Sequence, residues 1–202
     1  LKYKSFFAGL VDAENFKING GQGDDGQVLT STGSGVAWEA GGGGGVTFKE
    51  EGTNFTNSVM VGEDATGTLS SATGNTALGI DVFAALTSGD NNVAVGFGAL
   101  TANTTGHSNT AVGKSSLVAV TEGFSNTAVG FDAGKAITTG DYNTALGMNA
   151  MNSGTTAANN TVLGVGSGTS MTDGIGNTLT GMVTSIALTT GDYNVSSGYA
   201  SG

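Results

Sequence analysis

Polar and apolar residues alternate over short segments of this chain, and the segments recur with a constant 17-residue period. Counted from an asparagine taken as slot 0, they read NTALG, NVAVG, NTAVG, NTAVG, NTALG, NTVLG, NTLTG and NVSSG, and SVMVG at 58–62 begins the series. The alternation predicts a short strand with Thr and Val on one face and Ala on the other. Slot +11 is usually apolar, as at Leu86 and Val120, so a second, looser strand is predicted from slot +8 to slot +12.

Two slots carry hydrogen-bonding side chains in nearly every copy. In a stack of coils, equal slots lie about 4.8 Å apart, so these side chains can form ladders of amides and hydroxyls along the stack. Slot 0 holds Asn75, Asn92, Asn109, Asn126, Asn143, Asn160, Asn177 and Asn194. Slot +12 holds Thr87, Thr104, Thr121, Thr138, Thr155, Thr172 and Thr189.

Glycine marks two further slots and predicts turns. Slot +4 ends each strand with a residue that permits a backbone conformation or a close approach that a side chain would block. This slot holds Gly62, Gly79, Gly96, Gly113, Gly130, Gly147, Gly164, Gly181 and Gly198. Slot +14 is Gly in most copies, as at Gly89 and Gly106, and is predicted to open the turn toward the next Asn.

Two short strands and two glycine turns in each copy predict one coil of an all-β fold, a β-solenoid or β-roll. A helix is disfavoured because Gly recurs twice per copy and Val and Thr dominate the apolar slots. One coil encloses little volume, and the Ala face opposite Val suggests that both faces are covered. We therefore predict a parallel homotrimeric fibre that buries its small-residue face against neighbouring chains. A flat monomeric roll and an interwound triple β-helix are the alternatives.

The period divides the chain into three parts. Residues 58–202 are the array, which ends inside its ninth copy, so we expect further sequence after residue 202 in the complete protein. Residues 41–57 begin with five consecutive Gly and are predicted to be a hinge and lead-in. Residues 1–40 lack the period, contain short candidate strands in NFKING and GQVLTSTGSGVAWEA, and are predicted to be a small β-rich attachment module.

Composition removes several classes of protein from consideration. The chain has no Cys, which excludes a disulfide framework, a cysteine zinc site and a thiol nucleophile. Its net charge of −10 argues against nucleic-acid binding, which needs a cationic surface. Apolar runs fall short of the roughly 20 residues of a membrane span, so we expect no membrane insertion. Gly makes up 37 of the 202 residues without any Pro, which excludes collagen and fits stacked strands.

Residues that could carry catalysis do not form a recognisable motif. His107, the only His, lies in the variable slot +15 and is interpreted as a turn residue. Ser167 has a Gly on each side but lacks the G-x-S-x-G context of a nucleophile elbow. We therefore predict no catalytic residues, no cofactor and no enzymatic activity.

Metal-binding patterns are also weak. The segment GGQGDDGQV at 20–28 approximates a calcium-binding nonapeptide, but it occurs once and has Gln27 at the apolar position. Asp90, Asp141 and Asp192 share slot +15 but belong to separate coils, too far apart to ligate one metal ion. They are interpreted as solvated turn residues, and no metal site is predicted.

The variable slots separate two classes of function. A structural fibre needs only the invariant slots, whereas an adhesin would concentrate aromatic and charged residues on adjacent coils. Phe124, Tyr142 and Tyr193 occupy variable turn slots and could contact glycans, but single exposed aromatics need no such role. Because these residues look scattered, the sequence favours the structural fibre, and an adhesin that binds a host glycan or surface protein through the shaft is the alternative.

The repeat text GDNNVAVGFGALTANTTG at 89–106 and GHSNTAVG at 106–113 resembles the repeat region of bacteriophage tail-fibre and related fibrous surface proteins, which often end in an endosialidase-type intramolecular chaperone. It is similar, more distantly, to the head repeats of trimeric autotransporter adhesins, which form left-handed β-rolls. The resemblance covers residues 58–202, and residues 23–40 resemble a segment common upstream in such fibres.

The resemblance implies a trimeric, elongated shaft located in a virion tail fibre or otherwise outside the cell. The implied partners are two further copies of this chain and other virion or filament proteins held through the N-terminal part. A host surface glycan is a further candidate partner.

Overall fold

The computed structural model describes residues 27–31, 36–40, 47–49, 55–56, 58–62 and 70–202. The chain divides into two compact units, Leu1–Gly45 and Val46–Gly202. Every regular element in the described part is a β-strand, and that part contains no helix, which confirms the all-β prediction. The NFKING segment and the five-Gly run predicted as a hinge lie outside the described residues.

The strands are short and follow one another in chain order. They are β1 Gln27–Ser31, β2 Val36–Ala40, β3 Thr47–Lys49, β4 Phe55–Thr56, β5 Val59–Gly62, β6 Ala72–Thr73, β7 Thr76–Leu78, β8 Val93–Val95, β9 Thr110–Val112, β10 Thr127–Val129, β11 Thr144–Leu146, β12 Thr161–Leu163, β13 Thr178–Thr180 and β14 Val195–Ser197. In the first unit, β1 and β2 pair antiparallel, with Gln27 opposite Ala40. This pair lies within the GQVLTSTGSGVAWEA segment.

In the second unit, the strands from β5 to β14 other than β6 form one parallel sheet in chain order. Each residue pairs with the residue at the same slot of the next coil, so that Thr127 lies between Thr110 and Thr144. The predicted β-solenoid with 17-residue coils is therefore confirmed. All of this pairing runs within one chain, whereas an interwound triple β-helix would place strands of other chains between successive coils. Strand β3 pairs antiparallel with β5 and ends the ladder on that side.

The strands alternate between the interior and the surface, as the sequence predicts. Ala111 and Ala128 at slot +2 are fully buried, whereas Thr127 and Val129 on either side of Ala128 face outward and are only partly covered. The Ala side chains lie inside their own coil and pack against its turns. The prediction that this small-residue face packs on neighbouring chains is therefore wrong, because the coil closes over its own Ala row.

The predicted second strand from slot +8 to slot +12 is also wrong, because this part of every described coil is a series of turns. Slots +6, +8 and +16 adopt left-handed backbone conformations with φ near +50° to +70° even where the residue is not Gly, as at Phe83, Leu117 and Tyr142. Repeated left-handed residues redirect the chain every few positions, so its side chains cannot alternate as in a strand. Slots +8 and +11 both point inward as a result.

Large and small side chains complement one another in the core, so that a large residue fills the space beside a small one. Slot +8 carries the large buried side chains Phe83, Leu100, Leu117 and Met151. Where this slot is Gly168, Leu179 of the following coil fills the space, because a Cβ on Gly168 would lie 3.0 Å from Leu179 Cδ1. The thin core predicted from the sequence is thus packed coil by coil with side chains of matched size.

One core position is polar and incompletely bonded. Asn103 occupies slot +11, where neighbouring coils place Leu86 and Val120, and it is fully buried. Its Nδ2 donates to the Gly106 carbonyl over 3.0 Å, but its Oδ1 accepts no hydrogen bond from any residue that the structure describes. A buried acceptor without a donor costs about 1–3 kcal/mol.

We expect Asn103→Leu to raise the free energy of unfolding by about 1–2 kcal/mol, because it removes the unpaired oxygen from an apolar slot. The Gly106 carbonyl keeps a donor, since Asn92 Nδ2 lies 2.9 Å from it. Urea unfolding followed by circular dichroism measures the change. The reciprocal variant Val120→Asn serves as the control and should be destabilised, and a lower unfolding midpoint for Asn103→Leu would contradict this account.

Candidate functional site

The Asn residues of slot 0 form a continuous buried ladder from Asn75 to Asn177. In most coils, the side-chain oxygen accepts two hydrogen bonds from the next Asn. Asn143, for example, donates its backbone N–H and its Nδ2 to Asn126 Oδ1, both over 3.0 Å. Each Nδ2 also donates across its own coil to the carbonyl of slot +14, as from Asn126 to Gly140 over 2.8 Å. The ladder therefore ties successive coils together and closes each coil on itself.

The Thr residues of slot +12 form a second ladder with different partners. Each hydroxyl from Thr87 to Thr172 donates to a backbone carbonyl of the next coil, not to the next hydroxyl, and Thr138 Oγ1 lies 3.0 Å from the Thr155 carbonyl. The same carbonyl accepts the Thr138 backbone N–H over 2.9 Å. Because these bonds lie near the surface and duplicate a backbone bond, each contributes less than an Asn contact.

The two Gly slots differ in how strictly they need Gly, and slot +14 also accepts Ala72 and Ala157. From Gly79 to Gly198, slot +4 has φ between +125° and +140°, a region that side chains disfavour, and a Cβ on Gly130 would lie 2.6 Å from the Gly147 carbonyl oxygen. Slot +14 is not left-handed, but a Cβ on Gly123 would lie 2.6 Å from the Gly140 carbonyl oxygen. Close stacking of coils therefore decides both slots, and backbone conformation adds to it only at slot +4.

The candidate catalytic residues are not brought together. Ser167 is fully buried, and its hydroxyl donates to the Thr184 carbonyl over 3.4 Å. His107 is exposed on another coil, where its Nδ1 lies 3.5 Å from Ser108 Oγ. Within the described residues, no three His, Cys, Asp or Glu side chains are grouped to hold a metal ion. Of the calcium-like segment, only Gln27 and Val28 lie among the described residues.

The three Asp residues of slot +15 have a shared structural contact. Each carboxylate accepts the backbone N–H of slot +15 in the preceding coil. Asp90 Oδ1 lies 2.8 Å from Thr73 N, Asp141 Oδ1 lies 2.9 Å from Phe124 N, and Asp192 Oδ1 lies 2.7 Å from Ile175 N. These residues therefore link coils at the turn in addition to contacting solvent.

Slot +5 forms an exposed apolar column along the array. Six of its residues, which we name the apolar column, follow the slot +4 glycines and are each exposed by 41–50%: Ile80, Phe97, Phe131, Met148, Val165 and Met182. Tyr199 occupies the same slot in the last coil and is 74% exposed. Outward strand residues such as Leu78 and Leu146 flank the column and are exposed to a similar degree. The sequence interpretation missed this column, although reading slot +5 down the repeats would have revealed it.

Lys114 continues the column between two rings. Its Nζ lies 5.8 Å from the ring centroids of both Phe97 and Phe131, which belong to the preceding and following coils. This distance is typical of a cation–π contact. The Lys114 ammonium group therefore lies over the rings of Phe97 and Phe131, and its side chain continues the column between them.

A second surface feature lies at the other end of the strands. His107, Phe124 and Tyr142, which we name the aromatic cluster, come from three successive coils. The His107 and Phe124 rings are stacked with centroids 4.9 Å apart, and Tyr142 meets Phe124 edge to face at 5.0 Å. Aromatic residues that looked scattered along the sequence are thus contiguous here, whereas Tyr193 stands on a separate coil.

Comparison with protein-family models, curated proteins and solved structures finds no match to this chain. The class that the structure defines is the β-solenoid with 17-residue coils. Among the described residues, no helix has the length and apolar character required to cross a bilayer.

Proposed function

We propose that this chain is a structural fibre protein, a shaft segment of a phage tail fibre or similar extracellular filament, and that it works as a parallel homotrimer. The apolar column is the observation that supports the proposal. The Asn and Thr ladders use their side chains inside the stack, whereas the column is an apolar surface that repeats with every coil of the array. A partner that covers it along its length needs the same periodicity. Another copy of the chain has that periodicity by construction.

The size of this surface supports self-association. About half of each side chain is exposed, which leaves about 80 Å² of apolar area per residue. Together with Val59, Leu78, Val93 and Leu146 on the outward strand face, the column offers roughly 800 Å². The largest apolar patch of a typical monomer is about 300–600 Å², and one partner contributes about 800 Å² to a standard stable interface.

The way in which the coils use their polar groups also supports a shaft role. The Asn and Thr side chains are engaged in coil-to-coil bonds, and Ser167 and His107 lie apart, so the proposed role is structural and not catalytic. Each repeat adds about 4.8 Å along the stack, so the number of coils sets the length. Residues 1–40 would attach the shaft to other virion or filament proteins.

We expect the purified chain to sediment at three times its mass of 19.7 kDa. The triple variant Phe97→Lys, Phe131→Lys and Met148→Lys should shift it to the monomer, because three buried cations would face one another across the interface. Sedimentation equilibrium measures the mass, and electron microscopy of the wild type measures the length of the particle.

The matched control places three lysines on the same three coils but at the exposed slot +13, as Thr105→Lys, Thr139→Lys and Thr156→Lys. This control carries the same added charge and should keep the trimer. A wild-type chain that sediments as a monomer or dimer would overturn the homotrimer, and a trimer that survives the column variant would show that another face holds the chains together.

A further inference from the structure

The aromatic cluster is a surface feature that the fibre role does not use. Slot +15 precedes each strand of the parallel sheet and slot +5 follows it. The aromatic cluster and the apolar column therefore lie at opposite ends of the strands. Tyr142 is 55% exposed, His107 is exposed, and Phe124 between them is half-buried. Three rings from successive coils, with Phe124 in contact with both His107 and Tyr142, therefore remain at the surface.

Hydrogen bonds between coils hold the backbone that carries these rings. The Ser125 N–H donates to the His107 carbonyl over 3.0 Å, and the Tyr142 N–H donates to the Phe124 carbonyl over 3.1 Å. The Phe124 N–H in turn donates to Asp141 Oδ1 over 2.9 Å. A ligand would meet a surface that is already ordered, so little conformational entropy would be lost on binding.

Coil stacking does not require these rings. The same slot +15 holds Ala158 and Ile175 in later coils of equal geometry, and an isolated bridge joins Ala158 to Ile175 there. Tyr142 also adopts a left-handed conformation with φ +57°, which is unfavourable for an aromatic residue. His107 and Phe124 at slot +15 and Tyr142 at slot +16 are therefore not a condition of the fold.

The charges around the cluster define what it can bind. Asp90 and Asp141 occupy slot +15 in the coils on either side of His107 and Phe124. Along four successive coils, slot +15 therefore carries a carboxylate, an imidazole, a phenyl ring and a second carboxylate over about 14 Å. Carboxylates accept hydrogen bonds from hydroxyl groups and repel anions. The net charge of −10 adds to this repulsion.

We propose that the aromatic cluster is a binding site for neutral glycans. A sugar ring has an apolar face of C–H groups, which packs on aromatic rings, and a rim of hydroxyls, which the flanking carboxylates can bind. A chain of sugars can run along the solenoid axis and contact successive coils in turn. The site is shallow and open, so we expect Kd values near the millimolar range.

Saturation-transfer NMR with the full 202-residue chain tests the site, using maltohexaose and cellohexaose as neutral probes and a sialylated oligosaccharide as the anionic probe. We expect transfer to at least one neutral probe and none to the sialylated one. In the double variant Phe124→Ala and Tyr142→Ala, titration should show at least a tenfold weaker affinity. The control Tyr193→Ala removes an exposed tyrosine from slot +16 of a distant coil and should leave binding unchanged.

Circular dichroism and sedimentation of each variant separate binding from folding and from assembly. A double variant that keeps its spectrum and mass but loses glycan binding supports the site. Absence of transfer to both neutral probes, equal binding by the double variant, or preference for the sialylated probe would each overturn it. These outcomes are independent of the lysine variants at the apolar column, which test self-association alone.

Discussion

Replacing Gly130 with Ala is expected to lower the free energy of unfolding by about 3–5 kcal/mol. Two effects act together at this position. The φ of +138° is costly for a residue with a Cβ, and that Cβ would lie 2.6 Å from the Gly147 carbonyl oxygen and 2.7 Å from its carbonyl carbon. Both atoms belong to the backbone of the next coil, which the Asn ladder and the sheet hold in place, so they cannot move aside without opening the stack.

Gly166→Ala is the matched control for this substitution. Gly166 is also left-handed, with φ +62°, but a Cβ there would meet no atom within 4 Å, and the same slot +6 accepts Asp81, Asn149 and Val183 in other coils with φ of +56° to +58°. We expect Gly166→Ala to cost about 1 kcal/mol or less. Thermal unfolding followed by circular dichroism compares the two, and equal losses would refute the claim that coil stacking decides slot +4.

The period of the sequence was enough to predict the architecture. An Asn that recurs at the same slot of every coil can pair with its equivalents when the coils stack in register, because each amide has both donors and an acceptor. The Ala at slot +2 likewise predicted which residues of the strand share a face. Whether the Ala face points into the coil or toward another chain could not be predicted. A small side chain fits equally well inside a narrow coil or between two chains.

The turns between slots +4 and +12 could not be predicted from local preferences. Phe83, Leu117 and Met151 are poor candidates for left-handed conformations, yet all three adopt them with φ of +50° to +55°. The cost is borne because each side chain is fully buried against neighbouring coils, so tertiary packing overrides local preference. The sequence predicted a strand here from the apolar slot +11. Slots +8 and +11 lie three positions apart and would face opposite sides of a strand, whereas the turns direct both inward.

The aromatic cluster escaped prediction for a geometric reason. His107 and Phe124 occupy the same slot of successive coils and stack, but Tyr142 lies one slot further along its own coil than Phe124 does. The contact between Phe124 and Tyr142 depends on the left-handed turn at slot +16, which brings the two rings together edge to face. A period-based alignment places these residues in different columns and so makes contiguous rings look scattered.

Replacing Asn126 with Ala is the second substitution with a large expected effect, a loss of about 3–5 kcal/mol of unfolding free energy. The amide donates to Asn109 Oδ1 and to the Gly140 carbonyl, and its oxygen accepts the backbone N–H and the Nδ2 of Asn143. Truncation removes these bonds at once and leaves the Gly140 carbonyl and the Asn143 donors buried without this partner. Each such group costs about 1–3 kcal/mol.

Thr138→Val separates this ladder from the hydroxyl ladder on the same stack. The Thr138 hydroxyl donates once, near the surface, to a carbonyl that also accepts the Thr138 backbone N–H, so its loss orphans no buried group and should cost about 1 kcal/mol or less. Urea unfolding of both variants gives the comparison. If Asn126→Ala and Thr138→Val lose similar free energy, the buried amides do not hold the coils together, and the stability of the solenoid must reside in its backbone pairing and apolar core.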